Sequence, residues 1–253
     1  MTPKVSIIIL NWNGWEDTIE CLESLYQITY PNYNVIVVDN GSEDDSIVKI
    51  KEYCEGKIKI ESKFFKYDPD NKPIKIIEYT REKAEAGGGK EEEIIDLSSN
   101  EKLIIIKNEK NYGFTGGNNI GIKYILREKK TDYILLLNND TVVDGNFLTE
   151  LVKVAESDPK IGIVGPKILN YYDGAIDFCG GKINWWLGRP YHIKHEYCGK
   201  TDFITGCCML IKKQLIEKGI VFDNVYFSYF EDADLCEQVK RNGYSLAITN
   251  KVV

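Results

Sequence analysis

Three short stretches carry the residues able to do chemistry. The first is Tyr133 to Asp144, YILLLNNDTVVD. Tyr133 to Leu137 is an unbroken apolar run, short enough to be a strand buried on both faces. It ends in Asn138-Asn139-Asp140, where the strand must leave the core. Ligands of open α/β sheets bind outside the carboxyl ends of the strands. An Asp at such an edge can hold a hard divalent cation, and that cation a diphosphate. An Asx turn followed by a helix cap would use the same residues. The second stretch is Glu231-Asp232-Ala233-Asp234, which opens a helical pattern running to about Arg241. Acids in a first helical turn complement the helix dipole, which accounts for two of these carboxylates. The third, flanked by aromatics in YFEDAD, is a candidate general base. The last stretch is Asn111 to Asn119, NYGFTGGNN, placed just before a helical pattern from about Gly117 to Glu128. Glycines there let a backbone approach a ligand, and a helix N-terminus favours anions, although Gly and Asn also make ordinary turns.

The elements that position these residues alternate between buried strands and amphipathic helices. Lys4 to Leu10 reads as a central strand closing on Asn11-Trp12-Asn13-Gly14, and Asp17 to Tyr26 places Ile19, Leu22 and Leu25 on one helical face. Val35 to Val38 is a second strand closing on Asp39-Asn40-Gly41-Ser42, with Ser42 or Asp44 capping a helix through Tyr53. Strand, helix and strand form a right-handed βαβ unit, so both strand ends open on one edge. From Glu55 to Asn100 the composition shifts; Ile58 to Phe65 and Ile74 to Tyr79 are read as hairpin arms, and Arg81 to Glu93 as a mobile excursion. Leu103 to Lys107, Ile161 to Val164, Ile168 to Tyr171, Phe203 to Ile211 and Ser245 to Ile248 follow as strands, and Asn146 to Ser157 and Lys212 to Lys218 as helices. Gly206 would let a substrate come near its strand. Asp177 to Arg189 reads as loop, carrying Trp185 and Trp186. Neighbours on a strand point to opposite sides, so one of this pair is free to stack on a sugar face, although structural packing accounts for either.

The bulk properties narrow the class. The chain has 253 residues, 43% hydrophobic and 28% charged, which is ordinary for a globular protein. A net charge of −7 argues against a nucleic-acid partner. It leaves room for an anionic substrate neutralised by a metal ion. Seven cysteines without any CxxC spacing fit reduced thiols in a cytoplasmic protein and give no zinc site. No run has the pattern of a signal peptide or the length of a membrane span.

Taken in order, VSIIILNWNG, VIVVDNGSEDDS, NYGFTGGNNIGI, ILLLNNDTVVD and SYFEDADLCEQVKRNGY resemble the family-two inverting glycosyltransferases of the GT-A fold, nearest the rhamnosyltransferase-like branch. The resemblance spans nearly all of the chain outside Glu55 to Asn100. It implies a single α/β domain with a Rossmann-like, mostly parallel central sheet and helices on both faces. Residues 1–144 would form the nucleotide-binding half and 145–253 the acceptor half, with 55–100 a partly flexible insertion. On that resemblance Asn11, Trp12 and Asn13 touch the nucleotide and Asp39 accepts a hydrogen bond from a pyrimidine. Gly113, Asn118 and Asn119 border the nucleoside. Asn138 and Asn139 open the family's Asp-x-Asp motif, and Asp140 is its one carboxylate on a magnesium or manganese ion. Asp232 sits at the catalytic base. Glu231 and Asp234 flank it and, with Trp185, Trp186 and Gly206, are assigned to the sugar or acceptor.

The implied reaction moves rhamnose or a similar sugar from a dTDP- or UDP-sugar to the hydroxyl of a glycan or lipid-linked acceptor, in polysaccharide biosynthesis. The implied place is the cytoplasm, including the inner face of a membrane through a lipid-linked acceptor. A second reading is a non-catalytic nucleotide-sugar-binding module or partner-dependent subunit. Two departures from the family favour it: Asn138 in place of a carboxylate, and no histidine after the last strand. His192 and His195 read as surface residues, and the chain is expected to lack a C-terminal segment.

Overall fold

A computed structural model describes residues 2–89, 101–127, 130–197 and 199–252. Its central sheet runs β11 (Ser245–Val252), β6 (Ile161–Leu169), β10 (Cys208–Lys212), β5 (Tyr133–Asn138), β1 (Val5–Asn11), β2 (Tyr33–Asp39), β4 (Lys102–Lys107) and β3 (Lys75–Thr80). The pairings from β5 through β1, β2 and β4 to β3 are parallel, as is β11 on β6, whereas β10 runs antiparallel to both its neighbours. β7 (Ile176–Phe178) adds to β6, and β8 (Gly181–Asn184) pairs with β9 (Arg189–His192) as a separate hairpin.

Successive side chains of each strand feed opposite faces. Ile7, Ile9, Val35, Leu135 and Leu137 pack under α1 (Trp15–Leu25), α2 (Ser46–Cys54) and α5 (Phe147–Ser157). Ile8, Ile36, Val38, Ile134 and Leu136 pack under α4 (Gly113–Arg127) and α7 (Glu231–Arg241). The short helices α3 (Arg81–Glu85) and α6 (Lys213–Glu217) complete the set among the described residues. Both faces of the sheet are thus covered, which is why its strands read as continuous apolar runs. Gly117 lets α4 lie directly on β1: a Cβ there would fall 2.4 Å from a Leu10 methyl.

Several local expectations give way to tertiary pairing. Ile58 to Phe65 forms no hairpin arm; Ile58 and Ile60 pack singly against the core. β3 instead pairs parallel with β4, and residues 55–74 connect α2 to β3. The first residues of the expected mobile tract form α3, capped by Thr80 Oγ1 accepting from Lys83 N at 3.3 Å and packed through the buried Ala84. Residues 90–93 of that tract lie outside the described residues. Asp44 Oδ1 accepts from Ser46 N at 2.9 Å before α2, while Ser42 is committed elsewhere. The two short strands around Gly165-Pro166 are one, β6, because Gly165 admits Ile204 side-chain atoms without a break. The stretch 177–189 contains strand residues, and in 203–211 the strand starts only at Cys208, with Phe203 making an isolated bridge to Gly181.

Candidate functional site

The parallel register sets Asn11 opposite Asp39 and Leu10 opposite Asn138, so three strand ends meet at one edge. Asn11 is wholly buried. Its Nδ2 donates to Asp39 Oδ1 at 2.8 Å and Ser42 Oγ at 3.1 Å, and its Oδ1 accepts from Thr18 Oγ1 at 2.9 Å. Asp39 Oδ2 accepts from Ser42 N at 3.2 Å. Asn13 takes the left-handed conformation, φ +50°, and its Oδ1 accepts from Glu43 N at 2.8 Å. Asn tolerates that conformation better than most residues. Trp12, between them, is 55% exposed and faces outward from this network.

Asn40 ties the edge to α4. Its Nδ2 donates to Asn111 Oδ1 at 2.8 Å and Gly113 O at 3.1 Å. Its Oδ1 accepts from Asn108 Nδ2 at 3.1 Å and Tyr112 N at 3.2 Å. Nothing in the motif reading pointed to this residue, although its Asp-Asn-Gly context is a turn signal. Gly113 has φ +73°, and a Cβ there would meet Phe227 O at 2.3 Å, so only glycine fits. Asn118 is buried, with Nδ2 on Phe114 O at 2.9 Å. Asn119 is engaged with the 222–230 loop, donating to Phe222 O at 3.0 Å and Asn224 Oδ1 at 2.8 Å. Of the expected nucleotide residues, Asn11, Asp39 and Asn138 share the edge, whereas Asn119 holds that loop.

Past β5, Asn139 staples the strand end to α1 through Gly14 O at 3.2 Å and Thr18 Oγ1 at 3.1 Å. Asp140 is exposed. The Asp17 carboxyl is raised above its ordinary value by burial, then by the charges of Asp140, Glu16 and Glu20. Burial pushes the Cys207 thiol up to about 11, with Asp140 adding to the rise. The surroundings of Asp140 are therefore electronegative and suit a cation.

Asp232 lies in the first turn of α7. Its Oδ1 accepts from Ala233 N at 2.7 Å and its Oδ2 from Gly206 N at 3.3 Å. Burial raises its carboxyl above the ordinary range, while the two backbone N–H groups and His192 pull it down. It lines a cleft of about 400 Å³ with Phe114, Asn138, His192, Gly206 and Glu231. Glu231 is only 7% exposed, its Oε2 has no hydrogen-bond partner, and burial raises its carboxyl as well. Tyr229 and Phe230, just before the helix, both hold positive φ, +72° and +70°. For bulky residues that is a strained arrangement of the kind found at ligand sites.

His192 corrects the surface assignment. β9 carries it into the Asp232 cleft, with its ring centroid 5.0 Å from that of Phe178 and 6.0 Å from that of Phe203. His195 is exposed, as expected. The Tyr191-His192-Ile193 alternation was the available signal, but recognising it required knowing that a strand lay there. Trp185 and Trp186 stand at the tip of the β8–β9 hairpin, 65% and 98% exposed, and the hairpin lines the cleft through Pro190 and His192 of β9 instead. Asp234 Oδ2 accepts from Gln238 Nε2 at 2.7 Å along its own helix.

Asn138 and Cys207 also line a second cleft of about 830 Å³, which contains Asp140. The expected metal carboxylate and the expected base thus face adjoining clefts.

Comparison with known proteins agrees with this architecture. The family described as "Glycosyl transferase family 2" matches residues 6–72 and 90–220. The Low-salt glycan biosynthesis hexosyltransferase Agl10 of Haloferax volcanii is 23% identical, over 97% of this chain and 64% of its own length. Hyaluronan synthase 2 of Mus musculus is 25% identical, over 91% of this chain and 42% of its own length. The chain therefore spans less than two thirds of these relatives. Among solved structures, the mannosyltransferase PcManGT from Pyrobaculum calidifontis in complex with GDP-Man and Mn2+ superposes with a TM-score of 0.63 at 14% identity, covering 100% of this chain and 56% of that one. Staphylococcus aureus TarS in complex with UDP-GlcNAc gives 0.60 at 15% identity, covering 98% and 56%. At such identities these two structures establish the fold, GT-A, and no more.

Proposed function

The chain belongs to glycosyl transferase family 2, and from that premise we propose that it transfers a hexose or deoxyhexose from a nucleoside-diphosphate sugar to an acceptor hydroxyl with inversion. The observation that carries this reading is the placement of two carboxylates, Asp140 and Asp232, on adjoining clefts that share Asn138. Inverting displacement needs one base on the acceptor side and stabilisation of the leaving diphosphate on the other. Asp232 is the base. The elevated carboxyl is apt for taking a proton, and the backbone bonds from Gly206 and Ala233 fix its direction. The β1–β2 edge, with Asp39 and Asn11, holds the nucleoside, and the α4 N-terminus beside Gly113 faces its phosphates. In this reading residues 1–144 bind nucleotide and 145–253 the acceptor.

A divalent cation fits at Asp140. Among the described residues no group of three or more His, Cys, Asp or Glu is placed to hold a metal. Such a cation would rest on Asp140 and on the diphosphate's own oxygens, as magnesium commonly does. When bound it would act as a Lewis acid on the leaving group. The relatives that match are named for hexosyl transfer and hyaluronan synthesis, and the structural neighbours hold GDP-Man and UDP-GlcNAc. UDP-, GDP- and dTDP-sugars are accordingly the donors to test, dTDP-rhamnose among them, against glycan and lipid-linked acceptors. No helix among the described residues is long and apolar enough to cross a membrane.

The test is Asp232→Asn. Transfer is expected to fall about 10²–10⁴-fold, the range for loss of a general base, while stabilisation by the nucleoside diphosphate with manganese is retained. Undiminished transfer would remove Asp232 from the chemistry. Absence of stabilisation by UDP, dTDP or GDP in the wild-type protein would overturn the nucleotide-sugar reading itself.

A further inference from the structure

The β8–β9 hairpin stands off the central sheet as a two-stranded unit with an anchored base. Gly181 N donates to Thr201 Oγ1 at 2.8 Å, Ile183 N to Asp202 Oδ2 at 3.1 Å and Ile193 N to Gly180 O at 2.8 Å. The tip closes on itself as well. Asn184 Oδ1 accepts from Trp186 N at 3.1 Å and from Leu187 N at 3.2 Å, and Gly188 takes the left-handed conformation at φ +61°. Amides already bonded inside the protein cost less to move out of water.

What this fixed tip presents is apolar: Trp185, Trp186 and Leu187 are all exposed, and so is Tyr191 on the outer side of β9. Three consecutive large apolar side chains left in water mark an interaction surface. Their setting is basic. Residues 181–200 hold Lys182, Arg189, Lys194 and Lys200 against Glu196 alone, within a chain of net charge −7. Glu196 is itself taken by Lys167 at 2.7 Å. Lys182 and Lys194 pair with Asp202 and Asp177, at 3.4 and 2.6 Å. Arg189, next to the tip, and Lys200 are exposed and have no ion pair among the described residues.

We propose that the hairpin tip docks the protein on an anionic lipid surface, with Trp185, Trp186 and Leu187 entering the headgroup layer and Arg189 meeting the phosphates. Indole has an apolar body and an N–H donor, the combination that favours the membrane–water boundary. Basic residues beside such a group add attraction to anionic headgroups. The area argues against another protein or a second copy of this chain. Three side chains offer about 500 Å², at about 150–250 Å² for an aromatic, whereas each partner of a stable protein interface contributes about 800 Å². The tip also stands outside both clefts, so a saccharide has no wall to close on there. Only about 10 Å of strand separates Arg189 from His192. Pro190 and His192 line the Asp232 cleft together with Tyr229 and Phe230, two further exposed aromatics. A docked hairpin therefore holds that cleft beside the lipid, where a hydroxyl carried on a lipid reaches Asp232 without leaving the surface; this last step rests on the transferase reading above.

The test is co-sedimentation with vesicles of phosphatidylcholine alone and of equal parts phosphatidylcholine and phosphatidylglycerol. It compares wild-type protein with Trp185→Ser/Trp186→Ser/Leu187→Ser and with Arg189→Gln. Thermal unfolding without lipid should be alike for all three, since the changes fall at exposed positions. Wild type should bind the mixed vesicles and prefer them to phosphatidylcholine by about tenfold or more. The triple variant should lose about tenfold or more in affinity for them, and Arg189→Gln about fivefold, as for one basic residue near an anionic surface. Lipids brominated along the acyl chain should quench tryptophan fluorescence in the wild type and not in the triple variant. Failure of the wild type to bind mixed vesicles, or equal binding by the triple variant, overturns the proposal. Binding to immobilised oligosaccharides, or self-association in sedimentation velocity, that the triple variant loses while its vesicle binding is unchanged overturns it too, because the tip then serves another occupant. Vesicle binding requires neither nucleotide nor transfer. A wild type that no nucleoside diphosphate stabilises, but that binds mixed vesicles through the tip, fails the transferase reading alone.

Discussion

At the β1–β2 edge, Asn11 uses both ends of its amide inside the protein, Asp39 accepts through both oxygens, and Asn40 is bonded on both sides. Across Asn138, at the start of α7, a buried Glu231 oxygen has no partner, Asp232 is held by long and short backbone bonds, and two aromatic residues sit at positive φ. In the first region Asn11, Asp39 and Asn40 are engaged without a ligand, although the buried Asn108 Oδ1 beside Asn40 has no partner. The second carries unmet hydrogen-bonding capacity and local strain in the folded chain. The contrast suits their proposed tasks: a nucleotide edge gains from rigid preorganisation, whereas an acceptor site completes its bonds only when a hydroxyl arrives.

The largest effect should come from breaking the first region. Asn11→Ala removes one partner from Asp39, Thr18 and Ser42 at a buried place. A loss of about 3 kcal/mol is expected, since each buried polar group left unpaired costs about 1–3 kcal/mol. Chemical denaturation should show the loss, and stabilisation by nucleotide should disappear with it. A change under 1 kcal/mol would mean the network is not what organises this edge.

The opposite sign is expected on the other side. Glu231→Gln removes a buried carboxylate with an unmet oxygen, so the variant should be more stable than wild type near neutral pH while transferring sugar more slowly. The folded Glu231 carboxyl is raised above its ordinary value by burial. The native state therefore keeps its proton where the unfolded chain has lost it, and wild-type stability falls as pH rises from the ordinary Glu range through the raised value. The variant lacks this decline, so its advantage should grow from acidic to neutral pH. An advantage that does not change with pH would show that ionisation of Glu231 is not its cause.

The smallest effect belongs to the hairpin tip. Trp186→Ser removes a side chain that is 98% exposed, and stability should stay within about 0.5 kcal/mol, as for surface changes generally. Unfolding of free protein checks this. A larger loss would mean that the tip packs on part of the chain.

Much of the edge was legible in the sequence. The apolar runs ending at Asn11, Asp39 and Asn138 marked strands buried on both faces, and the acids of the α7 first turn marked a helix start. His192 was not legible, because its local setting is polar and strand-poor and its cleft is formed by residues distant in sequence. The helical α3 was hidden by its charged composition, since a surface helix is stabilised chiefly by what it packs on. Ser42 had the chemistry of a cap, but Asn11 and the Asn13 amide use its hydroxyl instead.

The sequence by itself determined that β1, β2 and β5 are buried strands with polar carboxyl ends, because continuous apolar runs and the polar residues that stop them are local properties. Only the tertiary structure decided what stands across from those ends. The antiparallel insertion of β10 between β5 and β6 brings the Gly206 turn, and Asp232 with it, to the cleft shared by Asn138. The buried Glu23 of α1 holds the loop before β3 through Lys72 and the Asp68 N–H. Such pairings depend on which distant surfaces bury one another, and no window of sequence contains both partners.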